Sequence, residues 1–409
     1  MRDTEFYRQI LGLEAPWGVT EVKLDIEAGQ VDVWVGHAKG LLWSCPECGR
    51  ELSCRDHAEE RVWRHLDTCQ FKTLLHARIP RVDCPDHGVG QVSVPWAEPR
   101  SRFTLLFETL AIDVLTHSAT VSSACRLLGL SWDEAWGIQE RAVARGLERK
   151  RAEPVPFLGV DEKAFRKRHQ YVTVVSDTLH GTVEYVADGR TTESLQGYWE
   201  SRTEEQLAAV GSVTMDMWAP YVNATRAGLP DADEKIVFDR FHIMKHMVEA
   251  VDKVRREEHR ELLENGDETL KHSRWMWLYN RENMPARYAR KLASLARSTL
   301  KVARAWAIKE ALRPLWEYRS AGWARRYFDR WYGWAIRSRL EPVKRVARML
   351  KRHLANVLSY CRLWVTNATA EGLNAKITAI KNRACGYRNR EHFRIAIYFH
   401  CGGLNLYPR

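Results

Sequence analysis

Three carboxylates and two pairs of soft ligands are the residues of this chain whose types and spacing could do chemistry. Asp161 closes the apolar run FLGV, Asp216 follows SVTM, and Glu371 heads AEGLNAKITAIKNR. A carboxylate at the C-terminal end of a buried strand is costly unless it meets a cation. Two strand-end aspartates and a helical glutamate suit hard ions that take oxygen ligands. The expected chemistry is therefore in-line displacement at phosphorus, with Asp161, Asp216 and Glu371 as the catalytic ligands of two Mg²⁺ (or Mn²⁺). Asp239, at the end of KIVF, is the reserve for one of the three.

The soft ligands are Cys45 and Cys48 in CPECG and Cys84 and His87 in CPDHG. Each repeat reads as a knuckle whose turn aims two ligands at one point, with glycine permitting the tight backbone. Four such ligands close a tetrahedral shell, so they predict a structural Zn²⁺ that shapes a module and does no chemistry. A rival set is Cys54, His57, His65 and Cys69, in which His65 and Cys69 would share one face of a helix spanning HAEERVWRHLDTC.

The elements that must position these groups follow from periodicity. FLGVDEKAF, QYVTVVSDT and TVEYVADGR read as three hairpin-linked strands. TTESLQGYWESRTEEQLAAV reads as a helix, and SVTM and KIVF as two further strands. That order predicts a ribonuclease-H-like α/β core. Leu373, Ile377, Ile380 and Ala384 recur at helical spacing as a buried stripe. Glu371 lies nearly opposite, beside Asn374, Ala375, Thr378, Lys381 and Asn382. Asn374, Thr378, Lys381 and Asn382 are accordingly expected to approach DNA. A first-turn Glu favoured by the helix dipole is the plainer reading of Glu371 by itself.

Upstream, Phe103, Leu106, Phe107, Leu110 and Val114 define one helical face. A short helix then ends at Gly129, and Ser131 with Glu134 forms a capping box for the next. Helix, glycine turn, helix is the pattern of a helix-turn-helix, and equally of a plain αα-hairpin. The zinc module before it and the basic chain favour DNA, with Ser131, Arg141 and Arg145 as contacts.

The formal charge of +11 suits a polyanionic partner. Between Val251 and Arg352, 26 Lys plus Arg stand against 12 Asp plus Glu, a net of +14. This stretch reads as long helices, including the stripe Leu340, Val343, Ala347, Leu350, Leu354 and Leu358. Trp275, Trp277, Trp306, Trp316, Trp323, Trp331, Trp334 and Trp364 lie in or near it, most of them as packing residues. No apolar run reaches membrane-spanning length and the N-terminus lacks a signal-peptide core, so an intracellular protein without a membrane partner is expected. Nine cysteines, some in C-x-x-C spacing, suit metal in a reducing compartment rather than disulfides.

With CPECG, PRVDCPDHGV, RVWRHLD, GVDEKAF, MDMWAPY, FDRFHI and AEGLNAKITAIKNRACGYRN in place, the chain resembles the DDE-type transposases of bacterial insertion sequences, specifically the ISL-three family. The resemblance implies Asp161, Asp216 and Glu371 as the triad. It also implies a bacterial cytoplasmic, nucleoid-associated protein that binds double-stranded DNA at terminal inverted repeats as a homodimer on paired ends. Such an enzyme cleaves a strand and transfers the freed 3′-hydroxyl to target DNA without a covalent protein–DNA intermediate. Two departures stand out: TNATAEG precedes the glutamate where the family commonly has Asn-Gly, and His87 stands where some relatives carry Cys. The expected domains are a zinc module (1–95), a helix-turn-helix (96–152), the core's first part (153–245), a basic helical insertion (246–360) and the core's second part (361–409). Two rivals belong to other classes. A DNA-binding regulator with an inactive nuclease-like fold would not need three intact acids. A tyrosine recombinase using Tyr387 would need an Arg–His–Arg setting that is not visible.

Overall fold

Period-two runs such as QVDVWVGH and KTLLHA make the N-terminal part of the chain a region of strands. A computed structural model describes residues 2–151, 153–166, 170–295, 297–363 and 368–409. Trp364, and Thr366 and Asn367 of the TNATAEG approach to Glu371, lie outside the described residues. The chain divides into two units, Met1–Lys150 with Tyr398–Arg409, and Arg151–Ile397.

In the first unit a short helix, α1 (Asp3–Ile10), precedes the strands β1 (Trp17–Asp25), β2 (Gln30–His37), β3 (Leu42–Ser44), β4 (Glu51–His57), β5 (Arg61–Arg64), β6 (Lys72–Ala77), β7 (Pro80–Cys84) and β8 (Gly88–Gln91). They form two four-stranded sheets, β1-β2-β6-β5 and β3-β4-β7-β8. Trp17, Val33, Trp43, Trp63, Leu75 and Val82 fill the core between them. The helix expected over HAEERVWRHLDTC is absent. Its centre is β5, antiparallel to β6 with Trp63 opposite Leu75. Burying one large indole on a sheet face outweighs a weak local helical preference.

Three helices follow: α2 (Leu105–His117), α3 (Val121–Leu128) and α4 (Trp132–Arg149). Gly129 takes φ 63°, the left-handed conformation that ends α3, and Ser131 with Glu134 forms the capping box that starts α4. The buried side of α2 differs from expectation. It carries Phe107, Glu108, Ala111, Ile112 and Leu115, while Leu106 and Leu110 are exposed. The stripe is turned because Glu108 is drawn inward by two arginines of α4.

The second unit opens with β9 (Phe157–Arg166), β10 (Gln170–Asp177) and β11 (Thr182–Asp188), then α5 (Thr192–Glu200), α6 (Glu204–Ala209), β12 (Ser212–Met215), α7 (Ala219–Gly228), α8 (Ala232–Lys235) and β13 (Ile236–Phe238). The sheet order is β11-β10-β9-β12-β13, with β9, β10 and β11 antiparallel and β12 and β13 parallel to β9. Every residue of β12 and β13 is buried, as strands covered on both faces require. The single helix expected after β11 is two, because Thr203 and Gln206 form a second capping box. At Gly228 a Cβ would lie 2.4 Å from Trp199 Cβ, so glycine permits α7 to seat against α5.

A helical stretch follows: α9 (Arg240–Glu264), α10 (Arg274–Leu278), α11 (Ala286–Leu295), α12 (Lys301–Leu312), a 3₁₀ turn Arg313–Glu317, α13 (Ala321–Arg337), α14 (Glu341–Arg352) and α15 (Leu354–Leu363). Trp277, Trp306, Trp316 and Trp331 are buried among these helices, and Trp275, Trp323 and Trp334 are exposed. The stripe from Leu340 to Leu358 is buried throughout although the backbone breaks at His353. The unit closes with α16 (Ala368–Arg383), which buries Leu373, Ile377 and Ile380, and enters α17 (Arg390–Cys401). Ala384 lies beyond α16 and is exposed. No helix among the described residues is long and apolar enough to cross a membrane.

Candidate functional site

The three sequence-predicted acids line one cavity of about 480 Å³ in the second unit, together with Asp239, Glu162 and His242. Asp161 is not at the end of β9, as expected, but within it, opposite Val174 of β10. It lies just past the stretch where β12 pairs with β9, which ends at Thr214 opposite Gly159. Asp216 follows β12 directly, so both aspartates reach the same edge. Gly159 leaves room for Ser176 of β10, and Ala370 of α16 packs at the same spot. A side chain there would meet Ser176 Oγ at 2.9 Å and Ala370 Cβ at 3.6 Å. Glu371, next to Ala370, is thereby carried to the cavity in the first turn of α16.

Each aspartate is held by named donors. Asp161 accepts from Lys163 Nζ at 3.0 Å and from Asn374 Nδ2 at 2.6 Å. Asp216 accepts from the Met217 N–H at 2.6 Å, and its other oxygen lies 3.3 Å from His242 Nδ1. Asp239 caps α9 through the Phe241 N–H at 2.8 Å. Burial, reinforced by the charges of Asp161 and Asp216, pushes the Glu162 carboxyl above the ordinary glutamate range. Arg190 stands 3.8 Å from Glu162, its guanidinium between the rings of Tyr171 and Trp218. Among the described residues, the carboxylates of Asp161, Asp216 and Glu371 do not all come within 4.8 Å of one another. They surround a shared space as three separate carboxyl groups.

Sequence reasoning missed Glu162, Lys163, Arg190 and His242 as members of this site. Glu162 and Lys163 adjoin Asp161 in VDEKAF, and His242 follows Asp239 in DRFHI. Proximity to a strand-end acid was the available signal. Three residues predicted to approach DNA spend their polar groups internally. Asn374 serves Asp161, Thr378 Oγ1 donates back to Asn374 O at 2.8 Å, and Lys381 Nζ donates to Ala164 O at 2.6 Å. Of the polar front of α16, Asn374 and Lys381 thus reach β9, while Glu371, Ala375, Thr378 and Asn382 are exposed.

In the first unit, Cys45 and Cys48 sit at the β3–β4 turn, and Cys84 and His87 at the β7–β8 turn. Gly49 and Gly88 take φ 73° and 69° to close these turns. The four ligand atoms all lie within 4.8 Å of one another, with Cys48 Sγ 3.7 Å from Cys84 Sγ and His87 Nδ1 3.5 Å from Cys84 Sγ. The rival set is dispersed. His65 is buried against Thr104 Oγ1 at 2.9 Å, His57 meets His37 at 2.9 Å, Cys54 donates to Asp56 O, and Cys69 is exposed. Once the expected helix is a strand, His65 and Cys69 no longer share a face.

Within the helix-turn-helix, the two arginines expected to contact DNA make ion pairs inside the domain. Arg145 is only 7% exposed and clasps Glu98 through two bonds of 2.8 and 2.5 Å, with Glu108 at 3.1 Å. Arg141 also bonds Glu108, which is 1% exposed. A carboxylate in that position needs cations beside it, and these arginines supply them, Arg145 from within the core and Arg141 from its partly exposed edge. The outward residues of α4 are Trp132, Asp133, Glu140, Ala144, Leu147 and Glu148. Ser131, at the exposed start of α4, has its hydroxyl engaged with Glu134 at 2.8 Å.

Comparison with known proteins finds a match for each of these regions. Residues 158–397 match the ISL3 family profile described as transposase. Residues 92–143 match the helix-turn-helix domain of transposase family ISL3. Residues 42–87 match the zinc finger of the transposases of IS204, IS1001, IS1096 and IS1165. The chain is 28% identical over 364 residues to the transposase for insertion sequence element IS1001 of Bordetella parapertussis, covering 88% of each chain. It is 26% identical over 418 residues to the transposase for IS1557 of Mycobacterium tuberculosis, covering 95% of this chain and 93% of the relative. With the family profile spanning more than half its length, the chain belongs to the ISL3 family of transposases.

Proposed function

We propose that this transposase binds the terminal inverted repeats of its insertion sequence and carries out metal-dependent strand cleavage and strand transfer through Asp161, Asp216 and Glu371. The observation that carries the reading is the convergence of these three acids, from β9, the end of β12 and α16, on one cavity. The order β11-β10-β9-β12-β13 supports a ribonuclease-H-like core interrupted by the basic helices between β13 and α16.

The donor set fits hard divalent ions, since every candidate ligand is a carboxylate. Asp161, Asp216 and Glu371 would hold two Mg²⁺ (or Mn²⁺). When bound, such ions activate an attacking oxygen and neutralise charge on the leaving one. The protein's own part is positional. Asn374 and Lys163 fix the rotamer of Asp161, and His242 steadies Asp216. The Cys45, Cys48, Cys84 and His87 set fits a closed structural Zn²⁺, whose role is to hold the two turns together. The substrate is double-stranded DNA, gripped by the basic helical stretch in the bacterial nucleoid, with a homodimer engaging paired ends.

The test is nicking of a duplex bearing the repeats that flank the coding region. Cleavage is expected with Mg²⁺ and none with EDTA. Asp161→Ala, Asp216→Ala and Glu371→Ala should each lose cleavage while retaining end binding. Near-normal cleavage by any one would remove that residue from the triad, and Asp239 would be examined in its place.

A further inference from the structure

A second cavity, of about 460 Å³, adjoins the acidic one and shares Thr214, Asp239, Phe241 and Glu371 with it. Its far wall comes from the helical stretch, through Asn280, Arg313, Trp316 and Tyr360. Three features mark it as built to hold something. Phe241 is 61% exposed at the rim between the cavities, which leaves its ring available to a flat partner. Trp316 is 4% exposed, yet its indole N–H is buried without a hydrogen-bond partner, and so is the Thr214 hydroxyl. An orphaned buried donor is costly unless water or a ligand supplies the acceptor, and among the described residues Trp316 carries the one such indole in this cavity's lining. The wall is also rigid. Buried Lys309 donates to Tyr279 O at 2.8 Å and lies 3.4 Å from Asn280 Oδ1, leaving the Asn280 amide nitrogen to donate elsewhere.

The matching ligand is flat, carries hydrogen-bond acceptors on its edge and brings an anion with it. A nucleobase has the π-face for Phe241 and edge acceptors for Trp316 and Asn280. The phosphate on its sugar suits Arg240, which is exposed and has no ion pair among the described residues. The volume lies within the small-ligand range of about 300–1,000 Å³, and a run of stacked base pairs does not fit. We infer that this cavity receives one unpaired base of the DNA strand beside the cleavage point, with Phe241 as its stacking platform and Trp316 reading its edge. The inference rests on the DNA-cleaving reading above and goes beyond it. Drawing one base out of the stack would fix the register of the strand against Asp161, Asp216 and Glu371.

The experiment uses the full chain, Mg²⁺ and a duplex carrying the element's own end. Nicking is measured for the paired duplex and for a series with one abasic nucleotide at each position flanking the nick. Phe241→Ala should slow nicking of the paired duplex by about 5- to 150-fold, the range that loss of one base–aromatic stack implies. At a single abasic position that penalty should vanish, because no base is left to hold. Trp316→Phe, which keeps a ring and removes the N–H, should lose rate at the same position. A Phe241→Ala penalty that is equal at every abasic position, or no penalty at all, overturns the inference. If Trp316→Phe fails to fold, the Phe241 series decides alone. A wild-type chain that does not nick the paired duplex overturns the cleavage reading and this inference with it. Nicking by the wild type without the positional dependence overturns this inference only.

Discussion

Replacing Arg145 by alanine should unfold the first unit before it affects any DNA contact. The guanidinium makes two bonds to Glu98, one to Glu108 at 3.1 Å and one to Leu406 O at 2.5 Å. Its removal leaves Glu108, almost fully buried, with Arg141 as its remaining cation and Glu98 without its clasp. Breaking a buried pair by deleting one partner costs about 3–5 kcal/mol. For a unit of this size each kcal/mol moves the melting temperature by about 2–4 °C, so a fall of about 6–20 °C is expected. The assay is paired: thermal unfolding, and the salt dependence of end binding at a temperature where both proteins are folded. A phosphate contact contributes about 0.9 to the slope of log K against log salt. The structure predicts a lower melting temperature and an unchanged slope. An unchanged melting temperature with a slope reduced by about one would refute the internal role, and would put Arg145 on DNA.

Cys84→Ser should lose the bound metal and destabilise the first unit, measured as zinc content by atomic absorption. One zinc per chain retained in that variant would dissolve the four-residue set. The pH dependence of the same unit should carry the signature of His65. Burial, aided by the neighbouring Arg64 charge, depresses its pKa to about 4 from an ordinary 6.5. The unfolded state therefore binds the proton first as pH falls. Stability from this group is full above about pH 6.5 and drains toward pH 4, by at most about 3 kcal/mol. His65→Gln should flatten that limb of the unfolding profile, and a profile identical to wild type would exclude His65 as its source. Asn374→Ala should lower the cleavage rate constant about tenfold or more through a mispositioned Asp161, with end binding unchanged. Weakened binding with a normal rate would instead return Asn374 to a DNA-contacting role.

What could be read locally in the sequence was largely what short-range physics decides. The knuckles CPECG and CPDHG specify their turns through glycine and ligand spacing, and Gly129 and Ser131 mark the break between α3 and α4 by chain conformation and capping. The strands before Asp161 and Asp216 and the stripe Leu373–Ile377–Ile380 follow from periodicity, which depends only on residues a few positions apart. Partnership across the chain is another matter. Which face of α2 turns inward depended on Glu108 meeting Arg141, 33 positions away, and Arg145, 37 away. Asn374 became a support for Asp161, 213 residues distant, only because α16 packs onto β9 in the folded chain. HAEERVWRHLDTC yielded its helix to a strand because β6 offered an edge and a core for Trp63. Polar side chains are ambiguous in sequence because solvent, DNA and a buried counter-charge all satisfy them. The tertiary structure chose among these by desolvation, which leaves a buried charge no option but its nearest partner.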